Sequence, residues 1–220
     1  MNFIDKLKTL FLTYKINSKN NGIDFRIAET QEEKEEAFKL RFEVYCKEKK
    51  YLKSENYPDG LEQDNFDKIA DHFIALNKLG KVVGTLRLVP RENDLFKEKS
   101  IPLEHYTDFS RHVNTDSIVS ELSRFTIDKD YRTNYLLNFG LIKNATLFGL
   151  AEGITHFAIS VSVNSKNYFE KFGFKQIGEP YMYEKLQYKL PSITMLADIH
   201  DSLKQMRMSN ISFYNYFTRK

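Results

Sequence analysis

The stretch SELSRFTID (120–128) reads as a strand, yet it carries Glu121 and Arg124 three positions apart. In a regular strand, side chains three apart point to opposite faces. Charged residues recur inside other apolar segments too. Arg41 lies on an apolar helical stripe, Asp64 and Asp67 fall in LEQDNFD, and Arg87 interrupts VVGTLRLV. Buried charges persist mainly when paired. Arg41, Arg87 and Arg124 with Asp64, Asp67 and Glu121 balance as one network. Arginine suits that role because its planar fork holds a carboxylate at two points.

Working outward from this strand, IDFRIAE (23–29) alternates as a strand. Thr30 followed by Glu33 is a capping box that predicts a helix over 31–50. Residues 72–90 predict a strand, a turn at Gly80 and a second strand; 117–128 is the fourth strand. A helix is predicted over 131–153, a buried strand over 155–163 and a short helix over 164–173. One or two further strands follow. Ile193, Leu196, Ile199, Leu203 and Met206 recur at helical spacing and predict a last helix before an aromatic tail. Phe3, Leu7, Leu10, Phe11 and Tyr14 predict an N-terminal amphipathic helix within residues 1–20, able to touch a membrane surface. This order predicts a mixed, mostly antiparallel sheet with helices on both faces, as one domain spanning 1–220.

Composition narrows the function. The chain has 220 residues, 41% hydrophobic and 29% charged, with a net charge of +3, too weak by itself to argue for nucleic acid. Cys46 is alone, which excludes an internal disulfide and a thiolate metal site and predicts a reducing cytoplasm. No apolar run approaches the ~20 residues of a membrane span. The five histidines show no metal-ligand spacing, and no G-x-S-x-G elbow is present.

The series RFEVYCKEKKY (41–51), EQDNFD (62–67), GTLRLVP (84–90) and SELSRFTID (120–128) resembles, in order and spacing, the motifs of the acyl-homoserine-lactone (autoinducer) synthases. It also resembles their relatives, the N-acyl amino acid synthases and the exosortase-associated acyltransferases. The resemblance covers roughly residues 25–195 and implies the GNAT fold, with a β-bulge in the fourth strand. A bulge adds a residue and re-phases the strand. Placed near position 122, it turns Glu121 and Arg124 to the same side and frees a backbone N–H for a thioester oxygen. The autoinducer synthases usually carry Phe at the position of Tyr45 and Trp at that of Tyr51, so lactone-specific chemistry is in question here.

The resemblance implies an N-acyltransferase that moves a fatty acyl group from an acyl carrier protein to a small amine, an amino acid being the expected acceptor. Glu121 is then the base, or the residue that orients a water, with a strut paired to Arg124 or Arg41 as the alternative. Arg124 and backbone N–H groups near Phe125 complete the catalytic set. Arg41, Tyr45, Tyr51, Asp64, Asp67 and Arg87 shape the acceptor site. Acetyl-CoA-using members carry a Q/R-x-x-G-x-G/A turn; aligned on Arg132, Tyr135 and Leu137 replace its glycines. A carrier-protein donor with a single phosphate is therefore expected, with no other cofactor and no metal. Lys129, Arg132, Lys143, Lys166 and Lys171 are the expected docking patch for an acidic carrier. The alternatives are a lactone synthase using S-adenosylmethionine, a CoA-dependent acetyltransferase, and a non-catalytic acyl-binding module.

Overall fold

Thr30 does cap the first helix. Its hydroxyl accepts from the Glu33 N–H, and Glu33 reaches back to the Thr30 N–H. The computed structural model describes residues 22–91, 101–183, 186–187 and 191–218. The amphipathic helix expected within residues 1–20 lies outside them.

The helix α1 (Gln31–Phe42) is shorter than its 31–50 pattern. Residues Glu43–Glu48 widen into a π-turn instead. The strands are β1 (Asp24–Ile27), β2 (Asp71–Leu76), β3 (Val82–Pro90), β4 (Val119–Ile127), β5 (His156–Ser162), β6 (Lys175–Met182) and β7 (Pro191–Asp198). They form one sheet in the order β1-β2-β3-β4-β5-β7-β6. Every pairing is antiparallel except β4 with β5. The remaining helices are α2 (Tyr135–Glu152), α3 (Lys166–Glu170), α4 (Ile199–Ser209) and α5 (Ile211–Thr218). No helix among the described residues is long and apolar enough to cross a membrane.

One expected element differs. Residues 193–198 belong to β7, and the last predicted helix begins only at Ile199, where the Asp198 carboxylate accepts from the Asp201 N–H. The run ITMLA is buried at every position. A strand covered on both faces has no alternation to read, so a helical spacing fits it equally well.

One sheet face packs on α2. Phe25, Phe73, Val83, Ile127, Leu137, Leu141 and Phe157 form the central cluster there. The opposite side of α2 is covered by α5, through Phe139 against Phe213 with ring centroids 5.0 Å apart. The contact between α2 and the sheet depends on Gly140, where an added Cβ would lie 2.2 Å from the Phe25 ring. Phe25 is fully buried. Gly140→Ala is therefore expected to destabilise the fold by about 1–3 kcal/mol, despite alanine's better helix propensity. A urea unfolding midpoint at or above wild type would contradict this packing.

Candidate active site

The bulge in β4 lies at Arg124–Phe125, two residues later than expected. Ser123 pairs with Arg87 and Thr126 with Thr85, so Leu86 alone opposes two residues of β4. Arg124 sits at φ 54°, left-handed backbone that a branched or long side chain rarely adopts. Up to Ser123 the strand alternates normally, with Glu121 opposite Val89 and Ser123 opposite Arg87. The left-handed residue then puts Arg124 on that same face, where it and Arg87 share the Asp64 carboxylate. Glu121 and Arg124 thus do face one side, through an irregularity at the arginine itself.

A reciprocal cap prepares the carboxylates. Asp64 Oδ1 accepts from the Phe66 N–H at 2.9 Å, and Asp67 Oδ2 from the Asp64 N–H at 2.7 Å. The resulting 3-10 turn (Asn65–Lys68) presents both acids to the arginines. Arg41 binds Asp67 through both terminal nitrogens, at 2.8 and 3.0 Å, and Glu62 through Nε at 2.5 Å. Arg87 reaches Asp64 at 2.7 Å and Asp67 at 3.1 Å. Arg124 holds Glu62 through Nε and Asp64 through Nη2, each at 3.0 Å. Burial alone would raise all three carboxyls; the arginines outweigh it and hold Glu62, Asp64 and Asp67 below the usual carboxylate range.

The network is balanced three against three, but its third acid is Glu62 and not Glu121. Glu62 is fully buried. It stands in the EQDNFD motif beside the two aspartates, and that adjacency is the one signal the sequence carries for it. Glu121 forms an ion pair with neither Arg124 nor Arg41, whose carboxylate partners are Glu62, Asp64 and Asp67. Among the described residues, its one hydrogen bond comes from the Leu103 N–H to Oε2, at 3.0 Å. Burial pushes the Glu121 carboxyl up to about 7, against the pull of Arg87, the Leu103 amide and Arg124, and with Asp64 adding to the rise. A buried carboxyl that titrates near neutrality suits proton transfer.

The parallel ladder between β4 and β5 ends at Glu121 opposite Ala158. Beyond it β5 continues on β7 alone as far as Ser162. The two strands therefore separate immediately beside Glu121. Tyr45, aimed by the π-turn, donates its hydroxyl to the Phe125 carbonyl at 3.1 Å and stacks on Tyr51 at 6.4 Å between centroids. On the far side, β6 carries two extra residues between Ile177 and Tyr181. Tyr181 stacks on Tyr106 at 4.3 Å and shares a hydrogen bond with Ser160 of β5 at 2.6 Å. Leu103, Tyr106 and Tyr181 come from segments that gave no polar pattern to read.

The basic residues divide. Lys129 follows the end of β4, and Lys166 and Lys171 lie on and just after α3, which follows β5. Arg132 is bound to Glu48 at 2.6 Å and to the Ile127 carbonyl. Lys143 is no docking residue: it is buried under α5 with its ammonium over the Tyr216 ring at 4.9 Å. Leu137 is fully buried against the sheet rather than lining a phosphate cradle. Burial raises the Cys46 thiol to about 11, so it is no thiolate nucleophile at neutral pH. A surface hollow of about 390 Å³ lies elsewhere, between α3, β6 and α4, and includes Lys166.

Residues 40–140 match the acetyltransferase (GNAT) domain profile. No match among curated protein sequences reaches significance. Among solved structures, FeeM, an N-acyl amino acid synthase from uncultured soil microbes, superposes with a TM-score of 0.64 at 16% identity, covering 86% of this chain and 97% of its own. The CoA-dependent acyl-homoserine lactone synthase BjaI, solved with SAM and isopentyl-CoA, gives 0.61 at 24% identity over 81% and 82%. The AHL synthase LasI gives 0.59 at 18% identity over 80% and 90%. With its split parallel pair and bulged fourth strand, the chain has the fold of these synthases, and its residues 40–140 are similar to the acetyltransferase (GNAT) domain.

Proposed function

We propose that the protein is an N-acyltransferase that moves a fatty acyl group from acyl carrier protein to the amine of a small acceptor, an amino acid. The observation that carries this reading is Glu121, a carboxyl left out of the balanced ion network and set where β4 and β5 part. The acyl thioester enters that gap. The acceptor nitrogen attacks its carbonyl carbon, and the C–N bond forms as the π electrons move to oxygen. Glu121 takes the amine proton, directly or through one water. Backbone N–H groups of β4 at Phe125 stabilise the oxyanion. Collapse breaks the C–S bond, and the thiolate leaves with the carrier and takes a proton from solvent.

Arg41 has all three guanidinium nitrogens committed, so it is structural. Arg124, whose side chain is 14% exposed, is the arginine placed to meet an acceptor carboxylate. Lys129, Lys166 and Lys171 offer an acidic carrier positive charge. Likeness to BjaI favours CoA as the competing donor.

The test is product mass spectrometry with acyl carrier protein and acyl-CoA as donors, against a panel of amino acids and S-adenosylmethionine. The expected product is an N-acyl amino acid, formed at least about tenfold faster from the carrier. A lactone formed from S-adenosylmethionine would overturn the acceptor, and equal rates from CoA would overturn the donor.

A further inference from the structure

The one hydrogen bond to Glu121 among the described residues arrives from a turn that is itself tied back to β4. The Leu103 N–H that meets Glu121 belongs to the 3-10 turn Pro102–His105. Glu104 in that turn accepts from the Ile101 N–H and from Arg91 Nε, the latter at 2.6 Å. Arg91 follows the last residue of β3, and its own N–H donates to the Val119 carbonyl at 3.1 Å. The bonds make a closed circuit that starts at Val119 and returns to β4 at Glu121. At the other end of the segment, the Thr107 and Thr194 hydroxyls bond at 2.6 Å. Ile101, Leu103 and Phe109 are essentially unexposed, so the turn is wedged as well as tied.

We infer that the Arg91–Glu104 pair is a positioning clamp, holding the Leu103 amide against Glu121 and so setting when that carboxyl ionises. Neither residue touches the reacting atoms. The groups that face Glu121 are Arg87 from β3, Arg124 from β4, Asp64 from the 3-10 turn, Tyr181 from β6 and the Leu103 N–H. An amide N–H bonded to a carboxylate favours its charged form. Losing that bond shifts ionisation to higher pH.

The sign of the shift separates a clamp from a simple field effect. Direct electrostatics predicts opposite shifts: Arg91→Met removes a positive charge and raises the Glu121 carboxyl, while Glu104→Gln removes a negative charge and lowers it. A clamp predicts that both variants raise it, and that the double variant moves it no further than the larger single one. The measurement is carboxyl ¹³C titration by NMR on the full chain labelled at glutamate, with the Glu121 resonance identified by its loss in Glu121→Gln. Both singles are expected to titrate about half a unit or more above wild type. Shifts of opposite sign, or none, would overturn the clamp. Thr107→Val loosens the other end without changing charge; it is expected to shift titration upward too, and serves if either charge variant fails to fold.

The kinetic arm rests on Glu121 being the base. There, kcat/KM at pH 7 is expected to fall about twofold or more and to recover at pH 9, with donor KM unchanged. A loss equal at every pH would mark a merely structural role. Full activity of Glu121→Gln would remove the base reading while leaving the NMR result to stand by itself.

Discussion

Glu121→Gln is expected to lower kcat/KM by about 10²- to 10⁴-fold while making the protein more stable at pH 8. The two effects have one cause. Wild-type kcat/KM should climb as pH rises through about 7, because only the ionised Glu121 can accept the amine proton. Its folded carboxyl titrates about 7, above an unfolded value of 4.5. Between those values the folded state holds more protons than the unfolded state, so stability is full below 4.5 and is lost as pH rises through 7. A gap of that size corresponds to about 3 kcal/mol. Gln keeps the shape and the acceptor for the Leu103 N–H but never ionises. Its unfolding midpoint should therefore fall much less than that of wild type between pH 6 and 8, above the Asp71 carboxyl that burial raises to about 6. Undiminished turnover would exclude the base role. A variant whose midpoint falls with pH as steeply as wild type would mean that another group titrates.

The second large effect is expected at Glu62. Glu62→Ala leaves the Nε groups of Arg41 and Arg124 without their carboxylate, Arg41 being fully buried. Breaking a buried pair on one side costs about 3–5 kcal/mol, because the charge left behind is uncompensated. Urea unfolding measures this directly. Glu36→Ala is the control: it removes an exposed pair with Lys39 on α1 and should leave the midpoint where it is. A Glu62→Ala midpoint equal to that control would mean that Asp64 and Asp67 suffice for all three arginines. Because Arg124 sits in the bulge, acyl transfer should fall with stability.

Much of this was legible in the sequence, for reasons that differ by residue. The Thr30–Glu33 cap is a local signal and was read correctly. The arginines and aspartates announced themselves because charge inside an apolar run must be paired. Which acid completes the set was not legible, since Glu62 and Glu121 are the same residue type and only three dimensions say which one the arginines reach. The bulge was expected near 122 because a phase conflict shows only that a residue is extra, not which. Lys143 looked like surface because a lysine carries no mark of the helix that will cover it. Leu103 contributes a main-chain N–H, and its side chain says nothing of that.

The left-handed Arg124 joins backbone shape to charge at one position. Glycine would relax that φ angle, and any other side chain would keep the strain while losing the guanidinium that offsets it. Neither route to greater robustness is open without dismantling the ionic centre. The kink and its cation are one unit: Arg124→Gly and Arg124→Lys are each expected to loosen the hold on Glu62 and Asp64.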